Sequence, residues 1–294
     1  MKVAGPMRVL FVIPHYYGVG AAGHGATDQN KREERILAVR TCILSLYQHF
    51  SAQQIIVPWG DQPHLPANQA LSHEIRVIVC VTGENHLLDH LGIPDNLYTK
   101  HSVELDDPLK LGFACYDVMR CARNCYDWYC YLEDDTVITD PLFFHKLQAF
   151  YHAANTDRYL LQPNRFEIGS GVTAFKAYTD GPLWDTNLME AFSHSRFPVG
   201  VPELNVTCLN TAFRMVLATN PHAGCFFLME SQLQHMMEKP WCGKFDDSFC
   251  GPLESAATLY IMAFFHVYKP APECASFLEV HHWHQRYFPP VVRL

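Results

Sequence analysis

The sequence predicts an α/β fold in which a mostly parallel sheet is flanked by helices. Met7 to Ile13 is an apolar run typical of a central strand that is buried on both faces. The segment that follows has apolar residues at helical spacing, namely Ile36, Val39, Ile43, Leu46 and Phe50. Strand-like runs and helical segments then alternate through the first half, as they do when crossover helices join parallel strands.

The other helices and strands are predicted from shorter sequence patterns. Asn30 with Glu33 forms a capping box for the first helix, and Asp107-Pro108 starts a helix that runs through Asn124. Further strands are expected at Gln54 to Pro58, Ile75 to Val81, Trp128 to Leu132, Tyr159 to Gln162, Val172 to Phe175, Cys225 to Met229 and Phe277 to His284. Glu254 to Phe265 is expected to be a buried helix.

The composition indicates a folded chain with a large core. Apolar residues make up 49% of the 294 residues, which argues against disorder. The formal net charge is −8, from 22 Lys and Arg against 30 Asp and Glu, and the basic residues form no cluster. We therefore expect no nucleic-acid partner.

The apolar runs and the cysteine pattern of the sequence predict a cytoplasmic protein. No run of about 18 apolar residues is present, so no transmembrane segment is expected. Pro14 closes the N-terminal apolar run, and no signal-peptide cleavage region follows it. The 11 cysteines are scattered without zinc-knuckle spacing, which favours reduced and mostly buried thiols.

Three consecutive acids, Glu133, Asp134 and Asp135, follow the predicted strand Trp128 to Leu132. Burying three like charges is prohibitive, so they must lie at the strand end and face solvent or a cation. Carboxylate oxygens suit Mg²⁺ or Mn²⁺, which in turn hold phosphates. Because ligands of parallel sheets bind at the carboxyl ends of strands, the sequence predicts a metal-bound nucleoside diphosphate here. The Gly-rich loop Tyr17 to Gly25 follows the first strand at the same edge.

The run YLEDDTVITDP, from Tyr131 to Pro141, resembles the DXD-type motif of GT-A glycosyltransferases in its LEDD variant. The resemblance implies a Rossmann-type sheet with a smaller acceptor-side subregion. It also implies metal-dependent transfer of a sugar, with Mn²⁺ or Mg²⁺, from a nucleoside diphosphate sugar to a saccharide or other hydroxyl acceptor. Carried over to this chain, Asp135 binds the cation, Glu133 faces ribose or metal, and Asp134 supports them.

Other nucleotide contacts are implied by the same resemblance. Ala122-Arg123-Asn124 is similar to the ARN that precedes the DXD strand in many inverting GT-A enzymes, where the arginine helps to hold the nucleotide. The end of the first strand contacts the base in that family, which points to His15 and Tyr16. We therefore expect a single GT-A-like domain over residues 1–294, with a nucleotide-binding half (1–140) and an acceptor-binding half (141–294).

The acceptor side has one acid at a helix start. Gly251-Pro252 presents Glu254, which resembles the catalytic base of GT-A motifs such as GxxED and would deprotonate the acceptor if configuration inverts. Asp247 is the reserve candidate, and retention stays open. Several GT-A enzymes use a C-terminal histidine as a further metal ligand, which points to His282; His284 shares its face of the strand.

Two other functions remain open from the sequence. A nucleotidyltransferase on a similar sheet would usually carry a basic residue directly after the first strand, whereas this loop has none before Lys31. A non-catalytic nucleotide-sugar-binding protein on a degenerate GT-A scaffold is favoured by two departures from the family pattern. Cys125 replaces the glycine after the ARN, and Ser255 replaces the second acid beside Glu254.

Overall fold

The computed structural model describes residues 5–18, 29–169, 175–181, 201–249 and 251–284. The α-helices in these ranges are α1 (Arg32–Phe50), α2 (Leu111–Cys121), α3 (Phe143–Ala154), α4 (Glu230–Met237) and α5 (Pro252–Phe264). The first strands are β1 (Arg8–Pro14), β2 (Ile55–Ile56), β3 (Leu65–Pro66), β4 (Glu74–Val81), β5 (Thr99–Ser102), β6 (Trp128–Leu132) and β7 (Thr136–Val137). The later strands are β8 (Tyr159–Leu161), β9 (Asn164–Ile168), β10 (Lys176–Tyr178), β11 (Glu203–Cys208), β12 (Thr211–Leu217), β13 (Cys225–Met229), β14 (His266–Pro270) and β15 (Glu279–His282).

The central sheet has five strands in the order β13-β6-β1-β4-β5. Strands β6, β1, β4 and β5 are parallel to one another, and only β13 runs antiparallel, along β6. The predicted α/β architecture with a mostly parallel sheet is therefore confirmed. All five residues of β6 are buried, and so is every residue of β1 after Arg8, which explains why both strands are continuously apolar.

The core lies on both faces of this sheet. Val9, Phe11 and Ile13 of β1 pack in one cluster with α1 and α3. Leu10 and Val12, which point to the other face, pack in a second cluster with α2 and α5. Helices therefore cover both faces of the sheet, and polar side chains are accessible at its carboxyl edge.

Two four-stranded mixed sheets complete the described fold, in the orders β10-β9-β15-β7 and β11-β12-β14-β8. In the first of them, β15 pairs parallel with β9 and antiparallel with β7, the short strand directly after the acidic triplet. The C-terminal histidines thereby come next to the acids in space. None of the helices in the described ranges combines the length and apolar character needed to cross a bilayer.

Some local predictions were wrong. Gln54 to Pro58 is not a strand of the central sheet, because only β2 forms there, and it pairs with β3 in a separate exposed hairpin. The helix predicted to continue through Asn124 ends at Cys121, and Asn124 adopts a left-handed φ of 65°. Asn30 is not the cap of α1, since a 3-10 turn over Gln29–Lys31 precedes the helix and Lys31 is its N-cap.

Other predictions agree with the structure or lie beyond what it describes. The Asp107 side chain accepts a hydrogen bond from the Leu109 amide (3.0 Å), as expected of a residue that starts a helix. The ten cysteines of the described ranges are free thiols. Residues 172–174 of the strand predicted at Val172 to Phe175 and most of the Gly-rich loop lie outside the described residues, as do residues 182–200 and Cys250.

Candidate active site at the carboxyl edge of the central sheet

The acidic triplet lies where β6 leaves the central sheet, next to the end of β1. The two strands are parallel neighbours, so His15 after β1 and Glu133 to Asp135 after β6 share one edge. The Glu133 amide donates to the Gly224 carbonyl (2.9 Å), and the Thr136 amide donates to the Glu133 carbonyl (3.0 Å). These bonds turn the chain sharply, which separates the directions of the three carboxylates.

Asp134 points into the protein and is held by two partners. Arg35 Nη2 lies 2.6 Å from each carboxylate oxygen, and His15 Nδ1 lies 2.6 Å from Oδ2. Burial by itself would raise the pKa of Asp134, but Arg35 and His15 outweigh it, so that the pKa is lowered. Asp134 is therefore an ionised anchor that Arg35 and His15 hold inside the protein.

His15 has a different position from the one predicted for a nucleotide contact. Its side chain is fully buried, and its Nε2 accepts a hydrogen bond from the Leu87 amide (3.0 Å). Because that nitrogen is an acceptor, the proton lies on Nδ1 and is donated to Asp134. Both ring nitrogens are thus engaged within the protein, and His15 orients Asp134.

Asp135 points towards the edge of the sheet and faces two histidines. Its Oδ2 lies 3.6 Å from His282 Nε2 and 3.8 Å from His284 Nε2. The backbone fixes this proximity, because His282 is paired with Thr136 across β15 and β7, and the Trp283 amide donates to the Asp135 carbonyl (2.9 Å). The structure therefore brings together the two residue types predicted as metal ligands.

Each of these histidines is oriented by a glutamate. His282 Nδ1 lies 2.9 Å from the buried Glu167, and His284 Nδ1 lies 2.8 Å from the exposed Glu34. With Nδ1 hydrogen-bonded to a glutamate, the Nε2 atom of each ring is the one that lies on the side of Asp135. The pattern of carboxylate, histidine and outward Nε2 is the one that orients metal-binding histidines in proteins.

Arg35 stands between Asp135 and His284. Its Nη1 lies 3.3 Å from Asp135 Oδ2 and 3.2 Å from His284 Nε2. Over the ranges that the structure describes, no three His, Cys, Asp or Glu side chains are arranged to hold a metal ion. The donor set fits Mn²⁺ or Mg²⁺ in its chemistry, but binding requires Arg35 Nη1 to withdraw from Asp135 while Nη2 stays on Asp134.

Glu133 lies on the other side of the triplet and is the least well neutralised of the three acids. Its ion-pair partner among the described residues is Arg165, whose Nη1 lies 3.6 Å away, and 18% of the Glu133 side chain is exposed. The pKa of Glu133 is raised to about 8, chiefly by desolvation; Arg165 opposes this rise, and the charges of Asp135, Glu254 and Asp134 contribute to it. Glu133 is therefore largely protonated at neutral pH in the free protein.

Gly224 allows this approach, because a Cβ there would lie 2.5 Å from Glu133 Oε2 and the residue has a φ of +62°. Arg165 is itself anchored on the far side, with Nη2 2.9 Å from Asp180, which also lies 3.7 Å from Lys269. Acidic and basic side chains thus alternate along a buried row that begins at Glu133 and continues through Arg165 and Asp180 to Lys269.

Glu254 lies in the first turn of α5, on the same side of the site as Glu133. After desolvation, which is the largest cause, its charge is one of those that raise the pKa of Glu133. Helix α5 approaches closely because of Gly112 in α2, where a Cβ would lie 2.7 Å from Ala256 and 2.8 Å from the Tyr131 hydroxyl. Asp247, the reserve candidate, is exposed in the loop before α5.

Two further residues, Tyr16 and Arg123, were predicted to contact the nucleotide, and only Tyr16 lies near the acids. Tyr16 is half-buried just past β1 and packs against the core at the edge that holds the acids. Arg123 is exposed beyond the end of α2 and precedes β6, so the length of that strand, about 15 Å, separates it from the acids. The structure does not bring Arg123 to the triplet.

Three residues of the site had not been singled out from the sequence: Arg35, Arg165 and Glu167. Arg35 could have been noticed, since it shares the buried stripe of α1 with Ala38, Val39 and Cys42, where an unpaired charge is not expected. Arg165 and Glu167 lie on a strand of five residues whose sequence has no comparable irregularity.

Comparison with known proteins finds similarity among solved structures. No family model matches it, and no curated protein matches it. Among solved structures, it is similar to two of S. aureus TarS, each with a TM-score of 0.42 and with 11% and 12% sequence identity. The matches cover 94% of this chain but only 36% and 60% of the TarS chains. At this identity and TM-score the likeness carries no argument about function.

Proposed function

We propose that this protein is a glycosyltransferase that moves a sugar from a nucleoside diphosphate sugar to the hydroxyl of a saccharide or other acceptor. The observation that carries the proposal is that the three strand-end acids have three different environments. Asp134 is anchored inwards, Asp135 faces two oriented histidines, and Glu133 has a pKa raised chiefly by desolvation, with a contribution from the charge of Glu254. Such a cluster at the carboxyl edge of a parallel sheet is where nucleotides bind in folds of this class.

On the donor side, Asp135 and His282 would hold Mn²⁺ or Mg²⁺, with His284 as a further ligand. The cation would supply charge neutralisation for the leaving diphosphate. Arg35 fixes the position of Asp135 through its bidentate hold on Asp134, and Glu167 fixes the ring of His282. Tyr16 is the residue that we propose to stack on the nucleotide base.

On the acceptor side, Glu254 would take the proton of the attacking hydroxyl. Glu254 is half-buried in the first turn of α5, which leaves its carboxylate partly accessible to an acceptor hydroxyl. If the reaction retains configuration, Glu254 would instead bind the acceptor. The stereochemistry of the product distinguishes these two roles.

Asp135→Ala is expected to abolish metal-dependent binding of a nucleoside diphosphate, because it removes the carboxylate that His282 and His284 face. The measurement is calorimetric titration against a panel of nucleoside diphosphates, with and without manganese. Asp106→Ala is the matched control, since Asp106 is an exposed acid of a second acidic pair and should leave binding unchanged. Unaltered affinity in Asp135→Ala would remove the donor site proposed here.

Glu254→Gln is expected to lower turnover by about 10²- to 10⁴-fold while sparing donor binding, since it removes only the proton acceptor. The rate is measured as nucleoside diphosphate released from the nucleotide sugar in the presence of acceptor. Asp247→Asn serves as the control, and it should leave the rate near that of the wild type. If the control loses activity and Glu254→Gln keeps it, the base is Asp247.

The two competing functions give different products in the same assay. A nucleotidyltransferase joins a nucleoside triphosphate to a sugar phosphate and releases pyrophosphate. A non-catalytic binding protein releases nothing from a nucleotide sugar, even on long incubation. Slow, manganese-dependent release of nucleoside diphosphate without acceptor would support glycosyl transfer against both.

A further inference from the structure

His73 is a buried histidine at the amino edge of the central sheet, opposite the edge that holds the acids. It directly precedes β4, and only 7% of the residue is exposed. Its ring stacks on Phe50 at the end of α1, with centroids 6.3 Å apart, and on His145 of α3, with centroids 5.9 Å apart. The edge of Phe144 completes the contact at 5.7 Å. The His73 ring therefore lies where α1, β4 and α3 meet.

The polar atoms in this contact lack hydrogen-bond partners. In the part of the chain that the structure describes, neither ring nitrogen of His73 has such a partner, and Nδ1 of His145 has none either, although all three atoms are buried. A buried polar group without a partner costs free energy, and a buried charge without a counter-charge costs far more. The His73 ring is therefore compatible with this position only while it is neutral.

The surrounding ionisable groups do not supply a negative charge that would compensate a protonated ring. The pKa of His73 is lowered from 6.5 to about 4, chiefly by burial and then by the facing His145, while the Ser72 backbone opposes the shift. The ionisable residues next in sequence to these rings lie in other contacts or in solvent, namely His49 on Phe50, Glu74 at the exposed start of β4, and Lys146 in an ion pair with Asp140.

We propose that His73 is an acid-sensitive switch that holds the amino edge of the central sheet closed while its ring is neutral. In the closed state the ring joins the end of α1 to α3, and the His73 amide donates to the Phe50 carbonyl (2.6 Å). Protonation places a positive charge without a partner between these rings, so that the ring is more stable in water. The start of β4 then opens, including the hydrogen bond from the Glu74 amide to the Met7 carbonyl (2.8 Å).

The sign of the pH dependence follows from the direction of the pKa shift. Because the pKa of His73 is lower in the closed state, the open state binds the proton more tightly, and acid favours opening. The switch is fully closed above pH 6.5, and the effect levels off below pH 4, where both states are protonated. With these two values, the equilibrium constant for opening is expected to rise about 20-fold between pH 7 and pH 5.

Amide hydrogen exchange, corrected for the intrinsic effect of pH on the exchange rate, tests the proposal. The protection of the His73 and Glu74 amides is expected to fall about 20-fold from pH 7 to pH 5, and the protection of Cys130 in the middle of β6 should fall less. His73→Phe, whose ring fills the same contact and cannot be protonated, should abolish this fall. His101→Gln, which changes an exposed histidine of β5, should leave it unchanged.

A second measurement needs no variant. Titration of the His73 ring by NMR in the wild-type protein should give a midpoint near 4, well below the ordinary 6.5. A midpoint at 6.5 or above would overturn the proposal, and so would equal protection of the His73 and Glu74 amides at pH 7 and pH 5. If His73→Phe keeps the wild-type pH dependence, the acid-sensitive group is another residue and the proposal is wrong. Circular dichroism verifies that both variants are folded.

Discussion

Arg35→Gln is expected to lower the free energy of unfolding by about 3–5 kcal/mol, because it leaves a buried carboxylate without its main counter-charge. Asp134 is 7% exposed and receives both of its shortest cationic contacts from Arg35 Nη2. His15 remains as a hydrogen-bond partner of Asp134. Urea unfolding at neutral pH measures the loss.

Two variants show whether the loss comes from the buried charge. The double variant Arg35→Gln/Asp134→Asn should recover much of the stability, since neither charge is then left alone. Arg214→Gln should change the free energy of unfolding far less, because Arg214 is an exposed arginine that pairs with two exposed glutamates. If the Arg35 and Arg214 variants lose equal stability, Arg35 does not hold the acidic triplet together.

Glu133→Gln is expected to stabilise the metal-free protein by on the order of 3 kcal/mol at pH 7. The pKa of Glu133 is raised from 4.5 to about 8 on folding, so the folded state prefers the protonated acid. The associated stability is fully present below pH 4.5 and is lost as the pH rises through 8. Glutamine imitates the neutral acid and removes this dependence.

Thermal or urea unfolding of both proteins between pH 4.5 and pH 8 tests this sign. The two should be equally stable at pH 4.5, and the variant should become the more stable one as the pH rises. Glu74→Gln is the control, because Glu74 is exposed at the start of β4 and should show no pH-dependent gain. A variant that is less stable than the wild type at pH 8 would show that Arg165 fully compensates the charge of Glu133.

The Arg35→Gln variant is expected to lower the stability of the protein and the Glu133→Gln variant to raise it, although the two acids concerned, Asp134 and Glu133, are neighbours in the chain. Asp134 stabilises the fold because Arg35 balances its charge at 2.6 Å and His15 hydrogen-bonds to it, whereas Glu133 destabilises the fold because its counter-charge among the described residues, Arg165, is 3.6 Å away. A carboxyl group kept at such a cost is typical of a binding or catalytic site, where stability is given up for function. The contrast supports placing the chemistry at Glu133 and Asp135.

The predictions that agree with the structure depended on local physics. The continuous apolar runs of β1 and β6 could only be buried strands, and three consecutive acids could only lie at a strand end. Asp107 and Pro108 carry the chemistry of a helix start in their own side chains. Each of these inferences needs only a residue and its neighbours in the chain.

The predictions that differ from the structure needed information about distant residues. Ile55 and Ile56 have the β-propensity of a core strand, but propensity does not say whether a strand will find a place in the main sheet. His15 follows the first strand as a nucleotide contact would, yet Leu87 and Asp134 take both of its nitrogens. Arg123 precedes β6 in the chain and is therefore at the wrong end of the strand.

The sequence by itself determined that three carboxylates emerge from a buried strand at the ligand-binding edge of a parallel sheet. Only the tertiary structure decided which of them faces outwards, because Arg35, Arg165 and Glu167 come from a helix and a strand far away in the chain. The physical reason is that a strand is buried when its own side chains are apolar, which can be seen from the local sequence. The ionisation and direction of a carboxylate depend on charges that other elements bring within a few ångströms.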